Sequence, residues 1–245
     1  MPVLARVLLA ALVALGLAAG SASAEERLWI GFHDDPVLRY GANRQEQLEA
    51  VRRANASVVR TLVEWQHVAP KRPRNAANPF DPAYRFDDLD ELVRNAQVRS
   101  LEVLMTLWGT PKWANGNKGP QYLPTRAADF KNFARAVAAR YSGRTRGYPF
   151  VRFYGIWNES NLGNFLAPQF NAKGAIVSPA AYAKLAAAGY AGIKAGSPKA
   201  LVAVGETSSN GRDRKKAGST DSIAPVVGET CLTSTRSPIT AMSLD

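Results

Sequence analysis

Five short apolar segments alternate along most of the chain with amphipathic helical patterns. The segments are residues 28–32, 57–63, 101–107, 151–157 and 201–205. They are rich in branched side chains and are mostly apolar throughout rather than alternating between apolar and polar residues. This pattern is typical of strands buried on both faces of a parallel sheet. The helical patterns cover residues 44–54, 86–93, 127–141 and 179–195. One strand every ~30–50 residues, with a helix between, predicts an α/β fold of successive βα units.

Two of the helical patterns carry signals for a helix start. Ser178 followed by Pro179 predicts an N-cap with proline at the first helical position. Asp87, Asp88 and Asp90 predict a cap and an acidic first turn, where negative charge is favourable. We prefer this interpretation to a metal site, because the acidic cluster lacks the glycine-containing spacing of a calcium loop.

The first residues have the pattern of a signal peptide. Arg6 precedes an apolar run over 7–19, and Ala22-Ser23-Ala24 is a cleavage site of small residues. The alternative, a transmembrane anchor, is disfavoured because the run is shorter than the ~20 residues that span a bilayer. We therefore expect residues 1–24 to be removed, residues 25–245 to form one secreted domain, and no later segment to span a membrane.

Composition narrows the classes of partner. The chain has 31 Lys and Arg against 20 Asp and Glu, a formal charge of +11, but the basic residues are scattered. The densest run, 212–216, is predicted to be a solvated loop rather than a nucleic-acid site, and an acidic polysaccharide remains open as a partner. With Cys231 alone, no intrachain disulfide can form, and the two histidines, His33 and His67, give no zinc spacing. We expect no metal or other cofactor, and the oligomeric state is not predicted.

The fourth apolar segment ends in a polar cluster. Asn158 and Glu159 follow Trp157 where the predicted strand leaves the core. In a barrel of parallel strands, catalytic residues lie at the carboxyl ends of the strands. A carboxylic acid beside an amide and an indole is suited to protonating the leaving oxygen of a glycoside. The residues thus predict a glycoside hydrolase with Glu159 as acid/base.

The other predicted strands also end in side chains that a sugar site uses. The candidates are His33 after the first strand, Arg60 and Trp65 at the second, Trp108 and Trp113 at the third, and Glu206 at the fifth. Aromatic faces serve as platforms for sugar rings. We consider Trp65 and Trp108 more suited to packing, whereas Trp113 fits a loop anchor and a sugar platform equally well.

Three of these segments, in this order, resemble the clan A glycoside hydrolases, which include the family 5 cellulases and the family 39 xylosidases. Trp157-Asn158-Glu159 resembles their strand-four motif. The segment 59–65, which contains Arg60, resembles their strand-two segment, and 108–114 resembles the Gly-Thr-Pro-x-Trp-Ala loop of strand three. The similarity extends over about residues 28–205.

The resemblance implies an α/β fold that is an incomplete (β/α)8 TIM barrel of about the first five βα units. It also implies retaining hydrolysis of a β-linked oligo- or polysaccharide without a metal. Glu159 would be the acid/base, Asn158 would hold the sugar 2-hydroxyl, and Arg60 would orient the nucleophile. His33 and Trp113 are further candidates for substrate contact, and Glu206, Trp65 and Trp108 are weaker ones.

The chain departs from these enzymes in its second carboxylate. Their nucleophile is a glutamate on strand seven, and here only Glu206 and Glu229 follow the acid/base glutamate. We expect a C-terminally truncated barrel with an irregular tail from about residue 211, nearly inactive by itself. One alternative is a degenerate, catalytically inactive carbohydrate-binding barrel. Another is an aldolase-like barrel, which would need a lysine at a strand end, whereas Lys112 lies in a loop.

Overall fold

The computed structural model describes residues 29–210. The predicted signal peptide, residues 1–24, and the tail from 211 with Glu229 and Cys231 lie outside the described residues. None of the helices within 29–210 is both long enough and apolar enough to cross a bilayer.

The described residues form one five-stranded parallel sheet with the strands in chain order. Each strand pairs with the next one along the sequence. The strands are β1 (Gly31–Phe32), β2 (Val58–Glu64), β3 (Glu102–Trp108), β4 (Phe153–Ile156) and β5 (Leu201–Val204). This order, with a helical connection between successive strands, is that of a partial (β/α)8 barrel. The predicted fold class is confirmed.

Six helices are described. They are α1 (Asp35–Leu38), α2 (Arg44–Arg53), α3 (Trp65–Val68), α4 (Asp87–Gln97), α5 (Ala127–Arg140) and α6 (Ser178–Gly196). The last two pack closely because Gly192 and Gly196 of α6 face the backbone of α5. A Cβ atom at either glycine would overlap the carbonyl oxygen of Lys131 or Arg135. This packing holds the helix layer against β4.

The first strand is shorter and more exposed than the sequence predicts. A buried strand over 28–32 was expected, but β1 has two residues and Phe32 is 44% exposed. The reason is that β1 lies at the edge of the described sheet, where β2 is its only described partner. Continuous apolar sequence therefore did not distinguish an edge strand from a central one.

Both predicted helix caps are wrong in detail. Ser178 is the first residue of α6 rather than its cap, and its hydroxyl donates to Gln169 Oε1 at 2.8 Å. The acidic residues occupy the first turn of α4 but provide no side-chain cap. Asp88 accepts instead from Arg39, and Asp90 from Arg140. Distant arginines compete successfully with the local helix end for these carboxylates.

We predict that Tyr154→Phe raises the free energy of unfolding by up to about 1 kcal/mol. The Tyr154 hydroxyl is fully buried on β4 without a hydrogen bond to any described residue, and burial raises its pKa well above the ordinary value. Urea unfolding measures the change. The matched control is Tyr182→Phe, which should lose about 1 kcal/mol, because Tyr182 Oη donates to Ile156 O and accepts from Gly205 N. Equal losses in both variants would contradict the assignment.

Candidate active site

Arg60 is the centre of a hydrogen-bonded cluster at the carboxyl edge of the sheet. Its Nη1 lies 2.9 Å from Nδ1 of His33, which follows β1. Its Nη2 donates to Asn158 Oδ1 and to Glu206 Oε2, each at 2.6 Å. Four of the predicted site residues, from four different strands or strand ends, therefore lie in direct contact. We call His33, Arg60, Asn158 and Glu206 the arginine cluster.

The donor character of Arg60 fixes the orientation of its neighbours. A guanidinium group only donates hydrogen bonds, so the Asn158 amide must present its oxygen to Arg60 and its nitrogen elsewhere. For the same reason His33 accepts at Nδ1 and carries its proton on Nε2, which lies 3.6 Å from Asp35 Oδ2. The cluster thus presents amide N–H groups of defined orientation at the strand ends.

Asp35 links the end of β1 to β2. Its carboxylate accepts from the Thr61 hydroxyl at 2.6 Å and from the Leu62 amide at 2.9 Å. Burial raises the pKa of Asp35, but hydrogen bonds from His33, Thr61 and Leu62 together outweigh burial and hold the pKa below its ordinary value. Asp35 therefore stays ionised and keeps His33 beside Arg60. Its stabilising effect is present above the unfolded-state pKa and is lost as the pH falls through the lower folded-state pKa.

Glu206 lies over a glycine that makes room for it. A Cβ atom on Gly155 of β4 would overlap Glu206 Oε1. The hydroxyl of Thr106, on the neighbouring β3, lies 3.2 and 3.1 Å from the two carboxylate oxygens. Glu206 is thereby held between Arg60 and the sheet, with its side chain 18% exposed. This arrangement is that of a charge anchor for Arg60.

We expect Gly155→Ala to displace the Glu206 carboxylate and to cost about 1–3 kcal/mol of stability, as overpacking generally does. If the overlap with Glu206 is the cause, the cost should be smaller in a Glu206→Ala background, where the carboxylate is gone. Urea unfolding of the four proteins of this cycle gives the coupling. Additive losses would contradict the assigned role of Gly155.

Glu159 lies at the end of β4 in an unusual backbone conformation. Trp157 has φ +68° and Glu159 has φ +39°, both in the left-handed region that favours glycine. Such conformations cost roughly 1–3 kcal/mol each and concentrate at functional sites. The Glu159 side chain is half-buried and makes no hydrogen bond or salt bridge with the described residues. It is therefore an unpaired carboxyl group adjacent to the oriented amide of Asn158.

The predicted aromatic residues divide into two groups, and the ring contacts and side-chain hydrogen bonds among residues 29–210 join neither group to the arginine cluster. Trp108 packs against Trp157, and both indole N–H groups donate to Phe165 O, at 3.2 and 2.7 Å. Trp65 is buried and meets Trp113 edge-on, with ring centroids 5.5 Å apart. Trp108, the last residue of β3, and Trp65, the first residue of α3, are thus core residues.

Trp113 lies in the loop after β3, whereas Glu159 lies in the loop after β4. Its indole N–H donates to Ala69 O at 2.8 Å, and the guanidinium of Arg72 lies 4.4 Å from its ring centroid. A sugar platform at the strand ends would place Trp113 beside Arg60 and Glu159, but no contact in the described part of the chain joins Trp113 to either residue. A loop anchor accounts for its contacts.

Sequence reasoning missed one residue that joins the loops of the site. The buried Asn161 donates to the carbonyl oxygens of Ser208 and Asn210 at 2.9 and 2.7 Å, and accepts from Ser208 N at 2.8 Å. It thereby holds the loop of Glu206 against the loop of Glu159. The sequence could have indicated this role, because Asn161 is a polar residue only two positions after Glu159. Thr106 gave no such indication, because a threonine inside a strand is ordinary.

Within residues 29–210, no group of three or more His, Cys, Asp or Glu side chains is placed to hold a metal ion.

Solved glycosidase structures share this fold. A glucosidase from Croceicoccus marinus superimposes with a TM-score of 0.53 and 16% identity over 72% of this chain and 36% of its own. A monomeric β-xylosidase from Caulobacter crescentus CB15 gives a TM-score of 0.53 and 21% identity over 74% of this chain and 36% of its own. A family 39 β-xylosidase from Caulobacter crescentus gives 0.50 and 19% over 74% and 40%. The chain thus spans about a third of the length of these proteins.

Sequence comparison identifies the family. Among curated proteins, none matches this chain significantly. Residues 22–228 match the family model described as Cellulase (glycosyl hydrolase family 5), which covers most of the chain. The predicted relationship to clan A glycoside hydrolases is confirmed by this match and by the shared barrel fold. The chain belongs to the cellulase family, glycosyl hydrolase family 5.

Proposed function

We propose that this protein is a secreted enzyme that hydrolyses β-linked glycosides with retention of configuration, with Glu159 as the acid/base. The observation that carries the proposal is the half-buried carboxyl group of Glu159, which has no side-chain partner among residues 29–210 and lies beside an amide whose orientation Arg60 fixes. Export is supported by the signal-like sequence of residues 1–24.

Glu159 and two residues of the arginine cluster, Asn158 and Arg60, have roles in this reaction. Glu159 gives its proton to the glycosidic oxygen as the bond from that oxygen to the sugar carbon breaks, and later takes a proton from water. The Asn158 N–H groups donate to a hydroxyl of the sugar, and Arg60 fixes the orientation of that amide. A fixed geometry of this kind lowers the barrier by orienting the reactants before reaction.

Retention needs a second carboxylate about 5 Å from the first. We assign no described residue to that role, so we expect little hydrolysis until an external nucleophile is supplied. We assign Glu206 to holding Arg60 rather than to attack on the sugar, because its oxygens are engaged by Arg60 and Thr106. In an assay, a small external anion such as azide can replace the nucleophile. Azide then forms the new bond to the sugar carbon while the leaving oxygen receives the proton of Glu159.

A second candidate function is glycan binding without catalysis. The salt bridge between Arg60 and Glu206 favours this candidate. Glu206 is the one described carboxylate within salt-bridge distance of the Arg60 side chain, and this contact holds it away from attack on a sugar. This candidate retains the oriented Asn158 amide as a sugar ligand but assigns Glu159 no proton transfer.

An aryl-glycoside assay distinguishes the two candidates. Purified protein is incubated with nitrophenyl β-glucoside, β-xyloside and the matching α-glycosides, with and without azide. The enzyme proposal predicts slow or no release without azide and clear azide-dependent release from a β-glycoside alone. Binding of cello-oligosaccharides with no release under any condition would overturn the enzyme proposal and establish the binding function.

A further inference from the structure

We propose that a basic groove beside Trp113 binds a negatively charged sugar unit, so that the glycan recognised by this protein is an acidic polysaccharide. The inference rests on the proposed function for the ligand being a glycan. The groove has a volume of about 370 Å³, within the range of roughly 300–1,000 Å³ for small-ligand sites. We call it the arginine groove; its polar and aromatic lining is Arg72, Arg74, Asn75, Trp113, Arg126, Asp129 and Asn132.

The arginine groove has more positive than negative charge. Its single lining carboxylate, Asp129, is 7% exposed and accepts from Arg126 at 2.7 and 3.2 Å. Arg72 lies 3.5 Å from the same carboxylate. Arg74 forms no salt bridge with any described residue. Two guanidinium groups therefore share one carboxylate while the third is unshared, so the groove lining holds three positive charges and one negative charge.

One neighbouring acidic group offsets part of this surplus. Asp81 acts electrostatically on Arg74, but it is buried, does not line the groove, and accepts with its oxygens from the backbone N–H groups of Asn75 and Ala83 at 2.8 and 3.0 Å, so a positive charge still faces the groove. Backbone hydrogen bonding is the leading cause that lowers the pKa of Asp81. Arg72 and Arg126 expose 48% and 64% of their side chains. The guanidinium groups of Arg72 and Arg126 are thus held by Asp129 on one side and open to a ligand on the other.

The chemistry of the groove favours a sugar acid over other anions. Arginine matches a carboxylate with two parallel hydrogen bonds, and Asn75 and Asn132 add amides suited to hydroxyl groups. Arg72 already lies over the Trp113 ring, with its guanidinium carbon 4.4 Å from the ring centroid, so this half-buried indole offers a sugar ring only its remaining exposed surface. A nucleic-acid strand would instead favour a longer basic track with several aromatic platforms, whereas Trp113 is the one aromatic residue that lines this groove.

The location of the groove relates it to the candidate active site. Trp113 follows β3, which lies between β2 with Arg60 and β4, after which Glu159 comes. Gln66 N donates to Gly109 O at 3.0 Å, which joins the loop after β2 to the loop after β3. The arginine groove therefore belongs to the same carboxyl edge of the sheet. The net charge of +11 adds long-range attraction for a polyanion.

Binding measured by calorimetry tests this inference with two glycans of one backbone. The probes are a β-1,4-linked oligoglucuronate and a neutral cello-oligosaccharide of equal length. We expect the acidic probe to bind at least about 10-fold more tightly at low salt, in line with charge-assisted hydrogen bonds. The variant Arg74→Gln/Arg126→Gln should lose that preference and keep its affinity for the neutral probe. The control, Arg52→Gln on an exposed face of α2, should keep it.

Three results would overturn the inference: equal binding of both probes by the unaltered protein, a preference that survives the double substitution, or equal competition by a single-stranded oligonucleotide. The outcome is separable from that of the proposed function. Azide-dependent cleavage together with equal binding of both probes would contradict only the proposal for the arginine groove. Binding of the acidic probe that depends on the groove, without any cleavage, would contradict only the enzyme proposal.

Discussion

Replacing Arg140 by methionine should lower the free energy of unfolding by about 3–5 kcal/mol, the typical cost of leaving one partner of a buried ion pair without the other. Arg140 on α5 and Asp90 on α4 have side chains 10% and 8% exposed. Two parallel hydrogen bonds, at 2.8 and 2.6 Å, join them. The Tyr141 hydroxyl also donates to Asp90 at 2.8 Å. Without Arg140, the Asp90 carboxylate remains buried beside apolar groups.

Aromatic rings around Arg140 add to this expected loss. Its guanidinium carbon lies 4.4 Å from the ring centroid of Tyr148, 4.7 Å from that of Phe86 and 5.3 Å from that of Phe80. Cation–π contacts of this kind contribute roughly 0.5–2 kcal/mol. The cluster joins α4, α5 and the loop before α4 on the helix side of the sheet, so we expect global unfolding to report the loss.

Urea unfolding measures this prediction, with Arg135→Met as the matched control. Arg135 lies on the same helix but is exposed, and its replacement should change stability by less than about 0.5 kcal/mol. The double variant Asp90→Leu/Arg140→Met should recover part of the loss, since it removes the orphaned charge. A loss in Arg140→Met no larger than in the control would contradict the account of this cluster.

Substitution of Glu159 by glutamine should reduce azide-dependent cleavage of a glycoside with a poor leaving group by about 100-fold or more, the usual contribution of general acid catalysis. Glutamine has nearly the same shape but cannot give up a proton. Since the Glu159 side chain makes no hydrogen bond or salt bridge with described residues, the melting temperature should change little. Glu64→Gln is the control, because Glu64 is another carboxylate at a strand end but is paired with His67 at 2.9 Å. It should retain most of the rate.

The parts of the fold that were predictable are those that local sequence determines. Continuous apolar runs identified β2 to β5, and their strand order follows from right-handed βα connections. Arg60 and Asn158 were both predicted at strand ends, and the carboxyl ends of parallel strands share one edge of the sheet. The structure places them in contact.

The parts that were not predictable depend on contacts between distant segments. Trp113 could have pointed to the sheet edge or to a neighbouring loop, and the carbonyl of Ala69 decides its direction. The caps at α4 and α6 differ from prediction because Arg39, Arg140 and Gln169 reach those residues from elsewhere. The need for glycine at 155 becomes visible only with Glu206 in place above it.

The most direct test of the central claim, that Glu159 protonates the leaving oxygen, compares two leaving groups in the unaltered protein and in Glu159→Gln, with azide present. The dinitrophenolate group of a dinitrophenyl β-glycoside departs without protonation. The cleavage rate of a methylumbelliferyl β-glycoside, in contrast, rises when its leaving oxygen is protonated. We predict that Glu159→Gln lowers the rate with the methylumbelliferyl substrate by about 100-fold or more and leaves the rate with the dinitrophenyl substrate nearly unchanged. Equal losses with both substrates, or no loss with either, would contradict the assignment of Glu159 as the acid.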